Sequence, residues 1–176
     1  MVDQDTALLR LGISFGLGFV LGLEREVRGQ NAGLRTHILV CLGSCLFTLT
    51  SLFAEHSLGA DTHQEVRADV TRIASQIVVG IGFLGGGAIL RHGASVQGLT
   101  TAANLWLTAS VGLAVGMGAP MLALATTGLA LFALVGLRFL EHAIRRFRKR
   151  HGLVADHDLA AQEPTEEGQA AEKTRK

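Results

Sequence analysis

The residues with the clearest capacity for chemistry are two glutamates on either side of an arginine, in the triplet Glu24-Arg25-Glu26. Residues i and i+2 of a helix point in nearly opposite directions, so these two glutamates cannot together bind one ion while the helix persists. Glu24 could pair with Arg28 at i+4, which would leave Glu26 for a different partner. A solvated, charged helix end is the alternative interpretation, and the spacing alone leaves both open.

The elements that must position these charges are five apolar stretches that contain no Asp, Glu, Lys or Arg. A helix needs about 20 residues to cross about 30 Å of hydrocarbon, and the charges of this chain lie between the stretches and not along them. The helices of a soluble bundle would instead show a polar stripe facing water. The sequence therefore predicts an all-α, polytopic transmembrane bundle of about five spans. The stretches are residues 11–23, 38–54, 73–90, 99–118 and 119–137.

Lys and Arg are distributed unequally between the two ends of these predicted spans. Because cytoplasmic loops carry an excess of Lys and Arg, we predict an external N-terminus and a cytoplasmic C-terminus. Residues 1–150 would form the membrane domain. Residues 151–176 are polar, of mixed charge and without apolar periodicity, and are predicted to be a disordered cytoplasmic tail. The predicted cytoplasmic cations are Arg25, Arg28, Arg35, Arg91 and the basic residues of 145–150.

Several polar residues are expected together at the cytoplasmic ends of the spans. Uncompensated charge at the edge of the hydrocarbon is costly and is usually paired. An unpaired amide within a span is also costly, so we expect Gln76 and Asn104 to bond across helices. The sequence thus predicts a cytoplasm-facing polar pocket, or network. Its predicted members are Glu24, Arg25, Glu26, Arg35, Thr36, His37, Gln76, Arg91, Thr100, Thr101 and Asn104.

Composition and motifs argue against several function classes. The net charge is +1 and no basic, aromatic-rich pattern is present, so no nucleic-acid partner is predicted. Cys41 and Cys45 lie one helical turn apart within a predicted span, and we interpret them as small packing residues. No nucleophile–base pair and no metal-ligand cluster stands out in the sequence. We therefore predict no enzymatic activity and no cofactor, and the sequence assigns no metal site.

Glycines four residues apart recur along three of the apolar stretches and share one helix face. Lipid gives helices no hydrophobic drive to associate, so close backbone approach must hold them together. This pattern predicts a tight core of the first, third and fourth spans. The second span would add an interior stripe of Cys41, Ser44, Cys45 and Thr48. The predicted packing glycines are Gly18, Gly22, Gly82, Gly86, Gly112 and Gly116.

The chain also shows short internal similarity between its two halves. Gly-Leu-Gly-Phe at 16–19 resembles Gly-Ile-Gly-Phe at 80–83, and Gly-Leu-Arg-Thr at 33–36 resembles Gly-Leu-Thr-Thr at 98–101. Helix pairs 1–2 and 3–4 would then be parallel repeats about an axis along the membrane normal. Chance similarity between two glycine-rich segments is the alternative.

Five segments form an ordered series along the chain: ERE at 24–26, AGLRTH at 32–37, GS at 43–44, QIVVGIGFLG at 76–85 and GLTTAANLW at 98–106. This series resembles the MgtC/SapB family of bacterial membrane proteins over roughly residues 10–140. The resemblance implies a hydrophobic domain of four or five helices in the inner membrane. It also implies a role in growth under magnesium limitation and, in pathogens, in survival inside host cells (virulence).

Two hypotheses of function follow, and they belong to different classes. The first is a non-enzymatic membrane regulator that acts through contacts with other membrane complexes. The second is a magnesium-related transporter or channel for an ion or small solute, using the polar pocket at the repeat interface. Against transport, no acidic residue lies within any apolar stretch, whereas divalent-cation pathways usually need acidic, oxygen-rich sites. The expected partners are the lipid bilayer, other inner-membrane complexes and further copies of the chain in a homo-oligomer.

Overall fold

The computed structural model describes residues 2–59, 70–93 and 95–150. It confirms the all-α class, and it adds one short antiparallel hairpin, β1 with β2, that the sequence did not predict. The predicted tail at 151–176 lies outside the described residues. The elements are α1 (Gln4–Val27), α2 (Leu34–Gly59), α3 (Val70–Ala88), β1 (Leu90–His92), β2 (Ser95–Gln97), α4 (Leu99–Gly116), α5 (Pro120–Leu131), a π-helical turn (Phe132–Gly136) and α6 (Leu137–Arg150).

Within the part of the chain that the structure describes, three helices are long and apolar enough to cross a membrane, namely Gln4–Val27, Leu34–Ala54 and Leu99–Gly116. Two shorter apolar helices, Arg72–Ala88 and Pro120–Gly136, bring the number of apolar helices among the described residues to five. The first two spans reach 24 and 21 residues because each helix extends beyond the apolar stretch seen in the sequence. The chain is therefore a membrane protein with several apolar helices.

The N-cap of the first helix is a polar side chain that lies outside the apolar stretch. Asp3 precedes α1, and its carboxylate accepts the backbone N–H of Thr6 at 2.9 Å. Hydrogen bonds from Thr6 lower the pKa of Asp3 from its usual value. An acceptor at this position satisfies one of the N–H groups that the first helical turn leaves without a partner, which is why the helix begins at Gln4.

The contacts between the helices define their relative directions. A Cβ on Gly18 would lie 2.9 Å from Cys41 Cβ, and one on Gly22 would lie 2.8 Å from Leu34 Cα, so α1 and α2 are antiparallel. Gly112 lies against Cys41. Further along both helices, a Cβ on Gly116 would lie 2.9 Å from the Cys45 carbonyl oxygen, so α2 and α4 are parallel. A parallel repeat of helix pairs requires this shared direction of α2 and α4.

The glycines of α1 and α4 pack against α2, whereas the glycine pattern predicted a tight core of the first, third and fourth spans. Cys41, Ser44, Cys45 and Thr48 form the predicted interior stripe, and all four are buried. Their small side chains let the glycines of α1 and α4 approach the α2 backbone from two sides. The core cluster around them includes residues of α1, α2, α4 and α5.

Two of the predicted packing glycines face open space instead. A Cβ added to Gly82 or Gly86 of α3 would meet no heavy atom within 4 Å among the described residues. Their predicted packing role is therefore not met within this bundle. The close approach of α3 to α4 is at Gly85, where an added Cβ would lie 3.6 Å from Ala102 Cβ.

The described residues up to Leu131 form one compact unit, and those of 132–150 belong to a second. In the first unit, Ala123, Thr127 and Ala130 give α5 a buried face. Arg10 of α1 donates from Nη1 to the Gly116 carbonyl at 2.7 Å. That carbonyl belongs to the last turn of α4, where a cation is favoured by the helix dipole.

Candidate functional site

The end of α1 carries a buried arginine that joins three parts of the chain. Arg25 is only 4% exposed. Its Nη2 donates to Thr101 Oγ1 of α4 at 2.9 Å and to Gln30 Oε1 at 2.9 Å, in the loop between α1 and α2. The guanidinium group therefore fixes the start of α4 and this loop relative to α1. Arginine suits the task because its planar fork of donors can serve several acceptors at once.

The loop that follows α1 is held in one conformation by backbone bonds. Gly29 has φ +64°, a left-handed conformation that residues with a Cβ rarely adopt. The N–H of Gly29 donates to the Glu26 carbonyl at 3.0 Å, and the N–H of Gln30 donates to the Arg25 carbonyl at 3.1 Å. These bonds satisfy carbonyls at the end of α1 and place the Gln30 side chain beside Arg25.

The two glutamates have different partners, as the i, i+2 spacing required. The Arg28 guanidinium lies with Nε 2.7 Å from Glu24 Oε1, in an i, i+4 ion pair. The Glu24 side chain is 8% exposed, and neither of its oxygens accepts a well-aligned hydrogen bond from the described residues. Glu26 Oε2 instead accepts the backbone N–H of Leu34 at 2.9 Å. A carboxylate at the start of α2 favours that helix through its N–H groups and its dipole.

A buried histidine joins α2 to α4 next to this loop. His37 is fully buried, and its Nδ1 lies 2.8 Å from the Gly33 carbonyl oxygen. Because a carbonyl only accepts, Nδ1 carries the proton of the ring. The Nδ2 amide of Asn104 lies 3.1 Å from Nε2, which accepts its proton. This bond is the cross-helix partner that the sequence predicted for Asn104.

The structure brings together part of the predicted set and leaves the rest at the surface. Residues 24–26, His37, Thr101 and Asn104 lie close together at one end of the bundle and take part in the bonds above. Arg35, Thr36 and Thr100 are exposed on the first turns of α2 and α4. Arg91 is exposed on β1, where its Nε donates to the Gly93 carbonyl at 3.0 Å.

Gln76, predicted to bond across helices, lies away from this network. It is exposed and lines an apolar groove of about 630 Å³ between α2 and α3. Sequence reasoning also missed Gln30, whose side-chain oxygen accepts a hydrogen bond from Arg25. The only feature of the sequence that indicated Gln30 was its position directly after Gly29 in the loop. Among the described residues, no group of three His, Cys, Asp or Glu could hold a metal ion.

The fold and this network together define a class: a polytopic helical membrane protein with a buried polar network at one end of its bundle. The family comparison is more specific, because the model of the MgtC family matches residues 11–143. The chain belongs to the MgtC family. The predicted resemblance to MgtC and SapB proteins is thereby confirmed.

Several curated proteins are similar to this chain. It is 42% identical over 131 residues to the protein MgtC of Salmonella typhimurium strain LT2, covering 74% of this chain and 52% of that one. It is 38% identical over 146 residues to SapB of Bacillus subtilis, covering 82% and 60%. It is 45% identical over 98 residues to an Escherichia coli K12 protein named "Putative magnesium transporter YhiD", covering 56% and 45%.

The chain thus spans about half of the length of these relatives, from 45% to 60%. No solved structure matches it.

Proposed function

We propose that this chain is a non-enzymatic regulatory protein of the bacterial inner membrane that acts in adaptation to low magnesium. It would act through contacts with other membrane complexes. Membership of the MgtC family supports this proposal, and the name of the Escherichia coli relative refers to magnesium transport. We propose a role in virulence on the basis of the family resemblance alone.

The observation that carries the proposal is the division of the motif residues into a buried and an exposed set. Arg25 and Thr101 bond to each other, as do His37 and Asn104. A ligand could reach these buried groups only if their present bonds were broken, which would be costly inside the bundle. Arg35, Thr36 and Thr100 are exposed on the adjoining helix turns. The buried set therefore supports a rigid surface that a partner can contact.

Transport of magnesium or a small solute remains the second candidate. The name of the Escherichia coli relative favours transport. The parallel direction of α2 and α4 also favours it, since repeated helix pairs are common in transporters. Against transport, neither residues 34–54 of α2 nor any part of α4 contains an Asp or a Glu. Gly112 and Gly116 also place the α4 backbone directly against α2, which leaves no path between these two helices.

Reversing one exposed charge tests the regulatory proposal. We expect Arg35→Glu to abolish the ability of the protein to restore growth in magnesium-limited medium to a strain lacking its own family member. Folding should be unaffected, because substitutions at an exposed site usually change stability by at most about 0.5 kcal/mol. The measurements are growth, protein amount in the membrane and melting temperature in detergent.

Arg72→Glu is the matched control, since Arg72 is also exposed but lies on the first turn of α3, at the far end of that helix from the network. The control should grow like wild type. If Arg35→Glu also grows like wild type, the surface has no regulatory role. The purified protein would also be assayed in liposomes for magnesium flux. A flux that Arg35→Glu leaves unchanged would establish transport instead of regulation.

We further propose that the N-terminus lies outside and the network end of the bundle faces the cytoplasm. The excess of Arg at that end supports this orientation. Single cysteines introduced as Gln4→Cys and Ser95→Cys, in a protein lacking Cys41 and Cys45, would be labelled in intact cells with a membrane-impermeant reagent. Position 4 should react, and position 95 should react only after permeabilisation. The reverse pattern, or equal reaction at both, would contradict the orientation.

A further inference from the structure

The last described helix, α6, has an apolar stripe that is open to its surroundings. Leu137, Leu140, Ile144 and Phe147 fall within an arc of about 80° when successive residues turn by 100°. These four side chains are between 44% and 58% exposed. Four large apolar side chains on one face of a charged helix are costly to leave in water. The stripe therefore requires an apolar environment.

The opposite side of α6 is strongly basic. Residues 137–150 contain six Lys or Arg and a single Glu. Helical spacing centres the basic positions on the side away from the apolar stripe, with Phe139 the aromatic exception among them. A short helix with large apolar residues on one face and Lys or Arg on the other is typical of helices that lie in a membrane interface.

The position of α6 in the chain selects lipid over a protein partner. The helix starts at Leu137, immediately after the apolar helix Pro120–Gly136. An apolar helix inserted in the bilayer at this place would bring the start of α6 to the bilayer surface. A protein partner would have to supply both an apolar groove and an acidic surface, whereas an anionic bilayer supplies acyl chains and phosphates at that place already.

We infer that α6 lies in the bilayer interface and binds anionic phospholipid. Leu140, Ile144 and Phe147 enter the acyl-chain boundary, while the basic side contacts the phosphates of the headgroups. This contact is independent of the regulatory role proposed above. It anchors the helix on the leaflet that carries negative surface charge, where each Lys or Arg adds to the attraction.

Depth measurements on the full chain test this inference. Spin labels would be placed by Ile144→Cys on the stripe and by Arg146→Cys on the basic side, with the unsubstituted protein as the control for labelling of Cys41 and Cys45. The proteins would be reconstituted in vesicles of phosphatidylcholine alone or mixed equally with phosphatidylglycerol. With phosphatidylglycerol, we expect the label at 144 to be accessible to oxygen and shielded from a water-soluble relaxation agent, and the label at 146 to show the reverse.

The charge dependence gives a second readout on the same label. Replacing Arg138, Arg145 and Arg146 by Gln should lower the ratio of docked to undocked helix by about fivefold for each charge removed. Equal depth of the 144 label in both lipid mixtures would overturn the inference. Access of water-soluble reagent to both labels would also overturn it. Shielding that depends on protein concentration and not on lipid charge would show that a second copy covers the stripe, which again contradicts lipid binding.

Discussion

Gly112→Ala is expected to remove most of the folded protein, although it adds a single methyl group. A Cβ at this position would overlap the carbonyl oxygen of Cys41 and would lie 3.1 Å from Cys41 Cα. These are backbone atoms of a neighbouring helix, so no side-chain rotation can relieve the overlap and α2 and α4 must separate. Overpacking a core usually costs about 1–3 kcal/mol. Because backbone is displaced here, we expect a loss in the free energy of unfolding of about 3 kcal/mol or more.

Gly82→Ala is the matched control for this substitution. It adds the same methyl group to a helix of the same bundle, where nothing lies within 4 Å among the described residues. Alanine favours a helix over glycine by about 1 kcal/mol, so this variant should be as stable as wild type or slightly more. Unfolding in mixed detergent, followed by circular dichroism, gives both values. If the two variants lose stability equally, the close contact of α4 with α2 is not what holds the bundle.

Arg25→Met should give the second large loss, because it removes the donor that joins α1, the first loop and α4. Thr101 and Gln30 each lose a hydrogen bond to a charged group, and each such bond is worth about 1.5–3 kcal/mol. We expect the free energy of unfolding to fall by about 3 kcal/mol or more. Growth under magnesium limitation should fall with it, since the exposed turn at Arg35 is no longer supported by a fixed loop.

Arg35→Met is the control at an exposed arginine ten positions along the chain. Its unfolding free energy should stay within about 0.5 kcal/mol of wild type. A double mutant of Arg25→Met with Thr101→Val provides the sharper test. Since the two side chains bond to each other, the double mutant should be little less stable than Arg25→Met alone. Strictly additive losses would show that the two residues do not share a network.

The glycines illustrate where sequence reasoning succeeded and where it stopped. The spacing Gly-x-x-x-Gly correctly indicated close helix contacts, and Gly18, Gly22, Gly112 and Gly116 all make them. The same spacing at Gly82 and Gly86 leads to open space. Spacing defines which residues share a helix face, but not which neighbour that face meets. That depends on how α3 is rotated in the bundle.

Some contacts of the polar residues could likewise be predicted from the sequence, and others could not. The pairing of Glu24 with Arg28 was predictable, because i, i+4 neighbours meet on any helix. The burial of Arg25 and the exposure of Arg35 were not, since both are arginines at the same predicted membrane depth. Their difference follows from the direction in which each points relative to α4, a helix more than 60 residues further along the chain.

By itself the sequence determined that this is a helical membrane protein, the approximate place of five apolar helices and the family. Each of these depends on local composition, periodicity and motif order, which need no knowledge of distant contacts. The tertiary structure decided that the glycines of α1 and α4 pack against α2, and it brought Arg25 to Thr101 and His37 to Asn104. Such choices depend on the rotation and register of helices far apart in the chain, because every apolar helix in a bilayer offers several faces of nearly equal hydrophobicity to its neighbours.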